Sequence, residues 1–304
     1  MPNDPVLQGD MLEILKTYED DTFDLVFCSP PYEDLRLYGE LGYSLTGQDW
    51  VDWSVERYKE CYRVCKGLVA WVVEGKTRKF RWSATPALLM ADLHRAGVRL
   101  RKPPAYHRVG IPGSGGPDWL RNDYEFIVCA SKGKLPWSDN TACGGPPKYA
   151  PGGDMSHRTQ NGDRVNAVKQ LAKNLEVTNR EAAKILGEEF GSATSGTVSG
   201  DVQTLRVYIP PEKSNPGNVI HCKVGGGLMG SPLAHENEAP FPEKLAEFFV
   251  KSFCPPEGIV LDPFCGSGTT LAVAKRLNRH YQGIDIRQSQ VDLATRRLEC
   301  TTNS

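Results

Sequence analysis

The feature that most constrains the fold of this chain is an apolar run that stops at two prolines. Residues Phe23–Cys28 have the apolar character of a strand that is buried on both faces. Pro30 and Pro31 end it, because proline has no N–H donor and fixes φ, and the carbonyls of Ser29 and Pro30 are left to accept hydrogen bonds. Ligands bind at the carboxyl ends of parallel strands in open α/β sheets. The stretch therefore predicts either a chemically active strand end or a strand that enters an ordinary loop.

Predicted strands alternate with predicted helices, which indicates an α/β fold with a doubly wound, mostly parallel sheet. Apolar runs predict strands at residues 5–7, 23–28, 68–73, 124–130, 258–262 and 281–286. Helical spacing predicts helices at residues 11–16, 49–65, 86–96, 242–253, 269–277 and 289–298. Gly67 is expected to end the second helix, and the glycines and prolines of residues 105–121 predict a flexible loop.

Composition favours a globular protein that stays in the cytoplasm. The chain has 304 residues, 39% of them hydrophobic, which suits one large or two small domains. It has no run of membrane-spanning length, and its first residues lack the pattern of an export signal, so no membrane partner is expected. The nine cysteines form no Cys-x-x-Cys pair. Reduced, mostly buried thiols are therefore favoured over a zinc site, and no metal is expected.

The middle of the chain departs from the strand and helix pattern. Residues 146–215 read as an insertion between a first half, residues 1–145, and a last part, residues 216–304. Within the insertion, two short helices are predicted at residues 168–175 and 179–190, the second with a capping box from Thr178 and Glu181. Such a pair is compatible with a helical hairpin or with a DNA-reading helix-turn-helix.

Charge is distributed unevenly, although the formal net charge is only −1. Between residues 75 and 108 there are nine Lys or Arg residues and a single acid, Asp92. This segment predicts either a surface for phosphate groups or a solvated face that distant acids balance.

A second chemically informative stretch begins at Val260 and predicts a strand, a glycine turn and the start of a helix. Glycines let the backbone approach a ligand closely, and the N–H groups at a helix start can hold a carboxylate or a phosphate. About twenty residues further on, the next predicted strand ends with Asp285, where a carboxylate can bind ribose hydroxyls. The pattern indicates a nucleotide-like cofactor.

Three motifs resemble those of amino-group DNA methyltransferases that use S-adenosylmethionine. Asp262-Pro263-Phe264-Cys265-Gly266-Ser267-Gly268-Thr269-Thr270 looks like the cofactor motif, Ser29-Pro30-Pro31-Tyr32 looks like the catalytic motif, and Ala239-Pro240-Phe241-Pro242-Glu243-Lys244-Leu245 resembles the segment before the cofactor motif. The catalytic motif comes first, as in the beta arrangement. The resemblance covers roughly residues 5–132 and 218–298. It implies a Rossmann-like methyltransferase sheet with circularly permuted motif order, and 146–215 as the target-recognition region.

The resemblance also implies roles for individual residues. Ser29, Pro30, Pro31 and Tyr32 would be catalytic, with Tyr32 stacked on an extruded base. The cofactor would be held by Asp10, Phe241, Pro242, Asp262, Pro263, Phe264, Cys265, Gly266, Ser267, Gly268, Thr269 and Asp285. Asp10 can equally be a helix N-cap, and Phe241 can be a core residue.

The resemblance further implies a substrate. Enzymes of this type that act on cytosine N4 usually carry Ser at the first motif position, whereas adenine N6 enzymes usually carry Asp or Asn, so Ser29 favours cytosine. Double-stranded DNA is the expected partner, with or without a cognate restriction endonuclease, and the protein is expected to be a monomer or a homodimer. Residues 38–43 and 113–116 are candidate DNA-facing loops. Basic residues of the insertion that can reach DNA are Arg158, Arg164, Lys169, Lys173 and Arg180.

Two other classes of function fit the same motifs. One is a DNA-binding protein that keeps the cofactor pocket without catalysis, and the other is an RNA or protein methyltransferase.

Overall fold

The computed structural model describes residues 4–33, 45–110, 118–145, 173, 175–178, 181, 213–224, 233 and 241–302. The chain divides into two compact units, one formed by residues 1–143 and 216–304 and the other by residues 144–215. All elements named below belong to the first unit. The assignment of the insertion to target recognition stays a prediction.

The described part of the first unit contains ten strands and six helices. The strands are β1 (Val6–Gln8), β2 (Phe23–Cys28), β3 (Cys65–Val73), β4 (Thr77–Arg78), β5 (Arg81–Trp82), β6 (Ala105–Val109), β7 (Tyr124–Ala130), β8 (Val219–Lys223), β9 (Ile259–Asp262) and β10 (His280–Asp285). The helices are α1 (Met11–Leu15), α2 (Gly47–Val64), α3 (Thr85–Arg95), α4 (Glu243–Phe253), α5 (Thr269–Arg276) and α6 (Gln288–Glu299). None of the described helices has both the length and the apolar character needed to span a membrane.

Eight of the described strands form one sheet in the order β1-β10-β9-β2-β3-β7-β6-β8. The strands from β1 to β3 in this order all run parallel, and β6 is parallel to β8. Strand β7 is antiparallel to both of its neighbours. The prediction of a mostly parallel α/β sheet is therefore confirmed.

Strand β2 separates the two main hydrophobic cores. Phe23, Val26 and Cys28 pack on one face with apolar residues of α1, α2 and α3. Leu25 and Phe27 pack on the other face with apolar residues of α4 and α5. Helices thus cover both faces of this strand, which is why its sequence is apolar with little alternation.

Gly67 does not end a helix, as the sequence predicted, but lies inside β3. Helix α2 already ends at Val64, and β3 begins at the next residue. A Cβ at position 67 would lie 1.9 Å from the carbonyl oxygen of Asp24 on the neighbouring strand. Glycine is needed at this position because the two backbones approach closely, and not because the helix must stop.

The predicted loop at residues 105–121 is also wrong in its first part, because Ala105–Val109 forms strand β6. This strand is paired on both sides, with β7 and with β8. Apart from the buried Tyr106 its residues are half-buried, and two of them, His107 and Arg108, are polar. A strand of this composition obtains its stability from its neighbours, so the sequence carries little local signal for it. Strand β8 and the β4–β5 pair were not predicted for the same reason.

All nine cysteines are free, and seven of them are buried. Burial raises the pKa of the Cys28 thiol well above its usual value. Cys265 lies in the turn after β9 and is buried against the core of α5 and α6. These thiols pack as small apolar groups.

Replacing Phe27 with alanine is expected to destabilise the first unit strongly. Phe27 is fully buried, stacks on Phe249 at 4.7 Å and meets Phe241 edge-on at 5.5 Å. Loss of this ring should lower the free energy of unfolding by about 3 to 5 kcal/mol, measured by urea denaturation. Leu88→Ala, at an exposed site on α3, is the control and should change it by less than about 1 kcal/mol. Similar losses in both variants would contradict the central position of β2.

Candidate active site

The two motifs at opposite ends of the chain meet at one edge of the sheet. Strand β2 leads into Ser29, and strand β9 ends at Asp262. The two strands are parallel neighbours, with Leu25 opposite Val260. Parallel neighbours share a carboxyl edge, so the catalytic and cofactor motifs lie side by side, as expected from the sequence.

The glycine turn after β9 has the backbone that its sequence predicts. Gly266 and Gly268 adopt positive φ angles of 48° and 75°, in the left-handed region that favours glycine. A Cβ on Gly268 would come within 3.0 Å of the Cβ of Ala294. Helix α5 begins at Thr269, whose hydroxyl accepts a hydrogen bond from the buried Arg297 at 2.8 Å. Contacts with Ala294 and Arg297 therefore fix the turn from the side of α6.

Asp262 is a buried carboxylate at the start of this turn. Its Oδ1 accepts the backbone N–H of Phe264 at 3.1 Å. Burial raises the pKa of Asp262 to about 7. A buried acid at the end of a parallel strand is a common feature of functional sites, and a nearby cation would favour its ionised form.

Asp285 occupies the corresponding position at the end of β10. Its Oδ2 accepts the N–H of Gly266 at 3.0 Å, and its Oδ1 accepts the N–H of Arg287 at 3.0 Å. Burial raises the pKa of this carboxyl as well. The contact with Gly266 ties Asp285 directly to the glycine turn.

Asp10 follows β1, which pairs with β10, and it caps helix α1. Its Oδ1 accepts the N–H of Leu12 at 2.8 Å, and its Oδ2 forms an ion pair with Arg57 at 3.2 Å. The N-cap interpretation of Asp10 is therefore confirmed. Because β1 is the neighbour of β10, Asp10 also lies at the same edge as Asp285, and its role near an adenine ring stays a prediction.

Aromatic rings line the edge between the two motifs. Phe264 of the turn lies edge-on to Trp71 of β3 at 5.6 Å and near Trp53 of α2 at 5.9 Å. The Arg57 guanidinium covers the Trp53 ring at 4.3 Å. Phe241 packs against Phe27 in the core, as its core interpretation predicted. Pro242 precedes α4, and its carbonyl accepts the N–H of Leu245.

The catalytic motif is held by a chain of hydrogen bonds. Ser29 Oγ donates to Tyr32 Oη at 3.1 Å or to the Val72 carbonyl at 3.4 Å. Tyr32 Oη donates to Oε2 of Glu125 at 2.7 Å. The carbonyl of Pro31 accepts the indole N–H of Trp50 at 2.8 Å. No described residue donates to the carbonyl of Pro30.

Glu125 is a site residue that the sequence reasoning missed. It is buried on β7 and forms an ion pair with Arg108 of β6 at 3.1 Å. Burial raises the pKa of Glu125. The charge of Arg108 and the hydrogen bond from Tyr32 lower this pKa and partly offset the effect of burial. The signal was present in the sequence, because an acid in the apolar run of residues 124–130 is unusual for a strand that packs in a core.

The acid at position 125 determines the direction of the hydrogen bonds in the motif. An ionised carboxylate only accepts, so Tyr32 must donate to Glu125. The Tyr32 oxygen and the Val72 carbonyl are then both acceptors for the single hydroxyl proton of Ser29. The lone pairs of Ser29 Oγ are therefore left to accept hydrogens from another molecule.

A family model described as DNA methylase matches residues 23–296, which is most of the chain. The chain belongs to this DNA methylase family. The methylase is 31% identical over 290 residues to the orphan methyltransferase M.BamHII of Bacillus amyloliquefaciens, and the match covers 92% of this chain and 90% of that protein. The family resemblance stated from the sequence is thereby confirmed.

Two solved structures show the same fold. The PvuII DNA methyltransferase (cytosine-N4-specific), from Proteus hauseri, has a TM-score of 0.62 at 18% identity, with 96% of this chain and 85% of that chain covered. The putative DNA modification methylase TTHA0409 from Thermus thermophilus, solved with S-adenosyl-L-methionine, has a TM-score of 0.56 at 18% identity, with 98% and 94% covered. The predicted Rossmann-like methyltransferase fold is confirmed by both.

The cofactor of the methylase is S-adenosyl-L-methionine, and the residues of the edge fit it. Its methionine part carries cationic groups, for which the buried carboxyl of Asp262 is a suitable partner, and its ribose carries hydroxyls, for which the carboxyl of Asp285 is suitable. Gly266 carries no side chain, which allows close approach of a ligand to the backbone of the turn. When bound, this cofactor supplies a methyl group on a positively charged sulfur.

Several predicted positions lie outside the described residues. These are the two loops at 38–43 and 113–116, and Arg158, Arg164, Lys169 and Arg180 of the insertion. Lys173 is described and is exposed in the second unit. Their contacts with DNA stay predictions.

We expect cofactor binding to strengthen as the pH rises from about 5.5 to about 7.5. The pKa of Asp262 is raised to about 7 in the free protein, so its carboxyl is mostly protonated at the lower pH. Only the ionised form attracts the cationic methionine part. The Kd for S-adenosylmethionine, measured by calorimetry, should therefore fall roughly tenfold over this range.

Asp262→Asn is the matched control for this experiment. The variant keeps the side-chain shape and lacks the ionisable group. It should therefore bind the cofactor more weakly, with a larger Kd, and this Kd should change less with pH. A wild-type Kd that stays constant over the range would contradict a contact between Asp262 and the cationic part of the cofactor.

Proposed function

We propose that the methylase transfers a methyl group from S-adenosylmethionine to the N4 amino group of cytosine in duplex DNA. The observation that carries the proposal is Ser29, whose oxygen offers lone pairs beside the cofactor turn. The name of the PvuII relative, which states cytosine-N4 specificity, supports the same base.

The chemistry that these residues must supply is activation of a weak nucleophile. The lone pair of a base amino group is delocalised into the ring. In this proposal Ser29 Oγ and the Pro30 carbonyl accept the two amino hydrogens, which favours a pyramidal nitrogen with its lone pair available for transfer. Tyr32 stacks on the extruded base and restricts its orientation. The remaining barrier is lowered by positioning, since methyl transfer is an in-line displacement.

The cofactor residues take their roles from the same arrangement. Asp262 and the turn from Phe264 to Gly268 hold the methionine part, including Pro263, Cys265 and Ser267. Asp285 holds the ribose hydroxyls, and Asp10 lies towards the adenine. Thr269 stabilises the start of α5, and Phe241 and Pro242 support the pocket from the core side.

Glu125 acts on the reaction through Tyr32 and Ser29. Its carboxylate fixes the donor direction along the chain of hydroxyls and so keeps Ser29 an acceptor. The Arg108 ion pair favours the charged form of Glu125 and partly offsets the rise in its pKa that burial causes. Glu125 is a positioning residue and does not touch the reacting atoms.

Adenine N6 is the second candidate target. The matching family model covers enzymes of both the N6 and the N4 type by its name, and a serine hydroxyl can accept a hydrogen from either amine. A partner restriction endonuclease and the oligomeric state stay predictions.

We expect the wild-type protein to transfer tritium from labelled S-adenosylmethionine to duplex DNA. Ser29→Ala should lower kcat by roughly a hundredfold, because an acceptor for the amino hydrogens is lost, with little change in cofactor Kd. Ser252→Ala, which removes a buried hydroxyl on α4 away from the motif, is the control and should stay near wild-type activity. Nucleosides from the product, analysed by mass spectrometry, should contain N4-methylcytosine.

Three other results would each support a different function. N6-methyladenine as the sole product would support the adenine alternative. Label that enters RNA or protein and not DNA would identify a different acceptor. Binding of cofactor and DNA without any transfer would indicate a non-catalytic DNA-binding protein.

We expect Glu125→Gln to lower kcat and to remove an acid limb from the pH profile. A glutamine amide can donate to the Tyr32 oxygen, so that the Tyr32 hydroxyl donates to Ser29 Oγ in turn and occupies a lone pair that the substrate amine would otherwise use. In the wild type, kcat should fall as the pH falls through the raised pKa of Glu125, since the protonated acid also becomes a donor.

Several groups face Glu125, and the controls separate them. Arg108 and Tyr106 approach it from β6, and Glu74, whose pKa burial raises to about 7, approaches from the end of β3. Glu74→Gln should keep the acid limb if Glu125 is its source, and Glu125→Asp should recover part of the activity. A pH profile of Glu125→Gln that equals the wild-type profile would exclude this role.

A further inference from the structure

A short β-hairpin projects from the edge that holds the catalytic motif. Strands β4 and β5 pair Thr77 with Trp82 and Arg78 with Arg81, which leaves Lys79 and Phe80 as a two-residue turn. The hairpin begins soon after the carboxyl end of β3. Strand β3 is the parallel neighbour of β2, so the hairpin leaves the sheet beside the Ser29 motif.

The tip of the hairpin combines exposure with backbone strain. The Phe80 side chain is 81% exposed. Lys79 and Phe80 have φ angles of 46° and 63°, as a type I′ turn requires, yet such turns strongly prefer Asn-Gly. A bulky aromatic residue with positive φ is unfavourable and gains no packing here. Strain without a structural benefit is typical of a functional position.

The base of the hairpin is anchored while the tip is exposed. The Trp82 indole stacks on Phe126 of β7 at 5.9 Å and donates to Oε1 of Glu74 at 3.4 Å. Lys76 and Ser83 exchange hydrogen bonds at 2.9 and 3.0 Å across the base. The aromatic tip is therefore presented at a defined place relative to the sheet.

The hairpin is strongly basic and lines a cavity that also contains the residue directly after the catalytic motif. A cavity of about 300 Å³ is lined by Lys76, Arg78 and Arg81 on the hairpin side. Glu33, which directly follows Tyr32, also lines this cavity and accepts a hydrogen bond from the Thr85 hydroxyl at 2.8 Å. Positive charge on both sides of an exposed aromatic ring suits a polyanion with stacked bases.

We propose that this hairpin is a DNA wedge, in which Phe80 enters the base stack next to the target while Lys76, Arg78, Lys79 and Arg81 hold the backbone phosphates. The inference rests on the proposed methylation of duplex DNA and adds how the target base leaves the helix. Extrusion of a base breaks its stacking and pairing, and an inserted aromatic ring replaces part of the lost stacking.

The test compares two duplex oligonucleotides that carry the modified site found by sequencing of methylated DNA. In one the target base is paired, and in the other it faces a mismatched base, which is easier to extrude. Phe80→Ala should lower turnover on the paired duplex roughly tenfold or more and on the mismatched duplex less than about threefold. Phe80→Leu should recover part of the activity, because an apolar wedge remains. Leu88→Ala is the control for loss of an exposed apolar side chain.

A second variant separates the wedge from a role in folding. Lys79→Asn combined with Phe80→Gly places the preferred residues at both positive-φ positions and should raise Tm by about 3 °C. The same variant should lose activity on the paired duplex as Phe80→Ala does. A structural hairpin would become more stable and stay active.

Each outcome decides the proposal. Equal activity of wild type and Phe80→Ala on the paired duplex overturns it, as does an equal loss on both duplexes. If the wild type transfers no methyl group to DNA, the proposed function fails, and the affinity for a fluorescein-labelled duplex of mixed sequence then tests the hairpin alone. Loss of at least about fivefold in affinity in Arg78→Gln with Arg81→Gln supports the DNA contact, and unchanged affinity overturns it.

Discussion

The site depends on the pairing of strand β2 with strand β9. The carboxylate of Asp24 accepts the N–H of Ile259 at the start of β9, 235 residues away along the chain. Because the two strands are parallel, Ser29 and Asp262 leave the sheet at the same edge. A slip of one residue would turn Phe27 to the opposite face of the sheet. The two cores that β2 separates therefore set the register in which the catalytic and cofactor motifs meet.

Burial of carboxyl groups at this edge is the main electrostatic feature of the molecule. Burial raises the pKa of Glu74 and of Asp262 to about 7, and it raises those of Glu125 and Asp285 as well. A buried acid lowers stability unless it is paired, so several of them at one edge indicate a functional demand. Glu125 has its partner, Arg108, within the protein. In the proposed complex a cationic group of the cofactor would be the partner of Asp262.

Two residues near the proposed reaction site depart from the usual burial or backbone preference of their residue type. Glu125 interrupts an apolar strand, and Phe80 occupies a turn position that suits glycine. Elsewhere, as in β2 and α5, residue preference and observed structure agree. Natural sequences are locally consistent except where function imposes another choice. Glu125 and Phe80 both lie on elements next to the catalytic motif, Glu125 inside the sheet and Phe80 on the hairpin that projects from it.

The sequence alone determined the architecture and the chemistry of the motifs. Apolar runs such as Phe23–Cys28 and helical spacing are local signals, and the conformations of Gly266 and Gly268 follow from their own residue type. Tertiary structure decided the rest. Position 67 needs glycine because the backbone of Asp24 lies close to it. Residues 105–109 form a strand because β7 and β8 lie beside them. Tyr32 donates a hydrogen bond to Glu125, which lies on a strand far away along the chain. These features depend on residues far apart along the chain, so no local pattern contains them, and only the folded sheet brings their partners together.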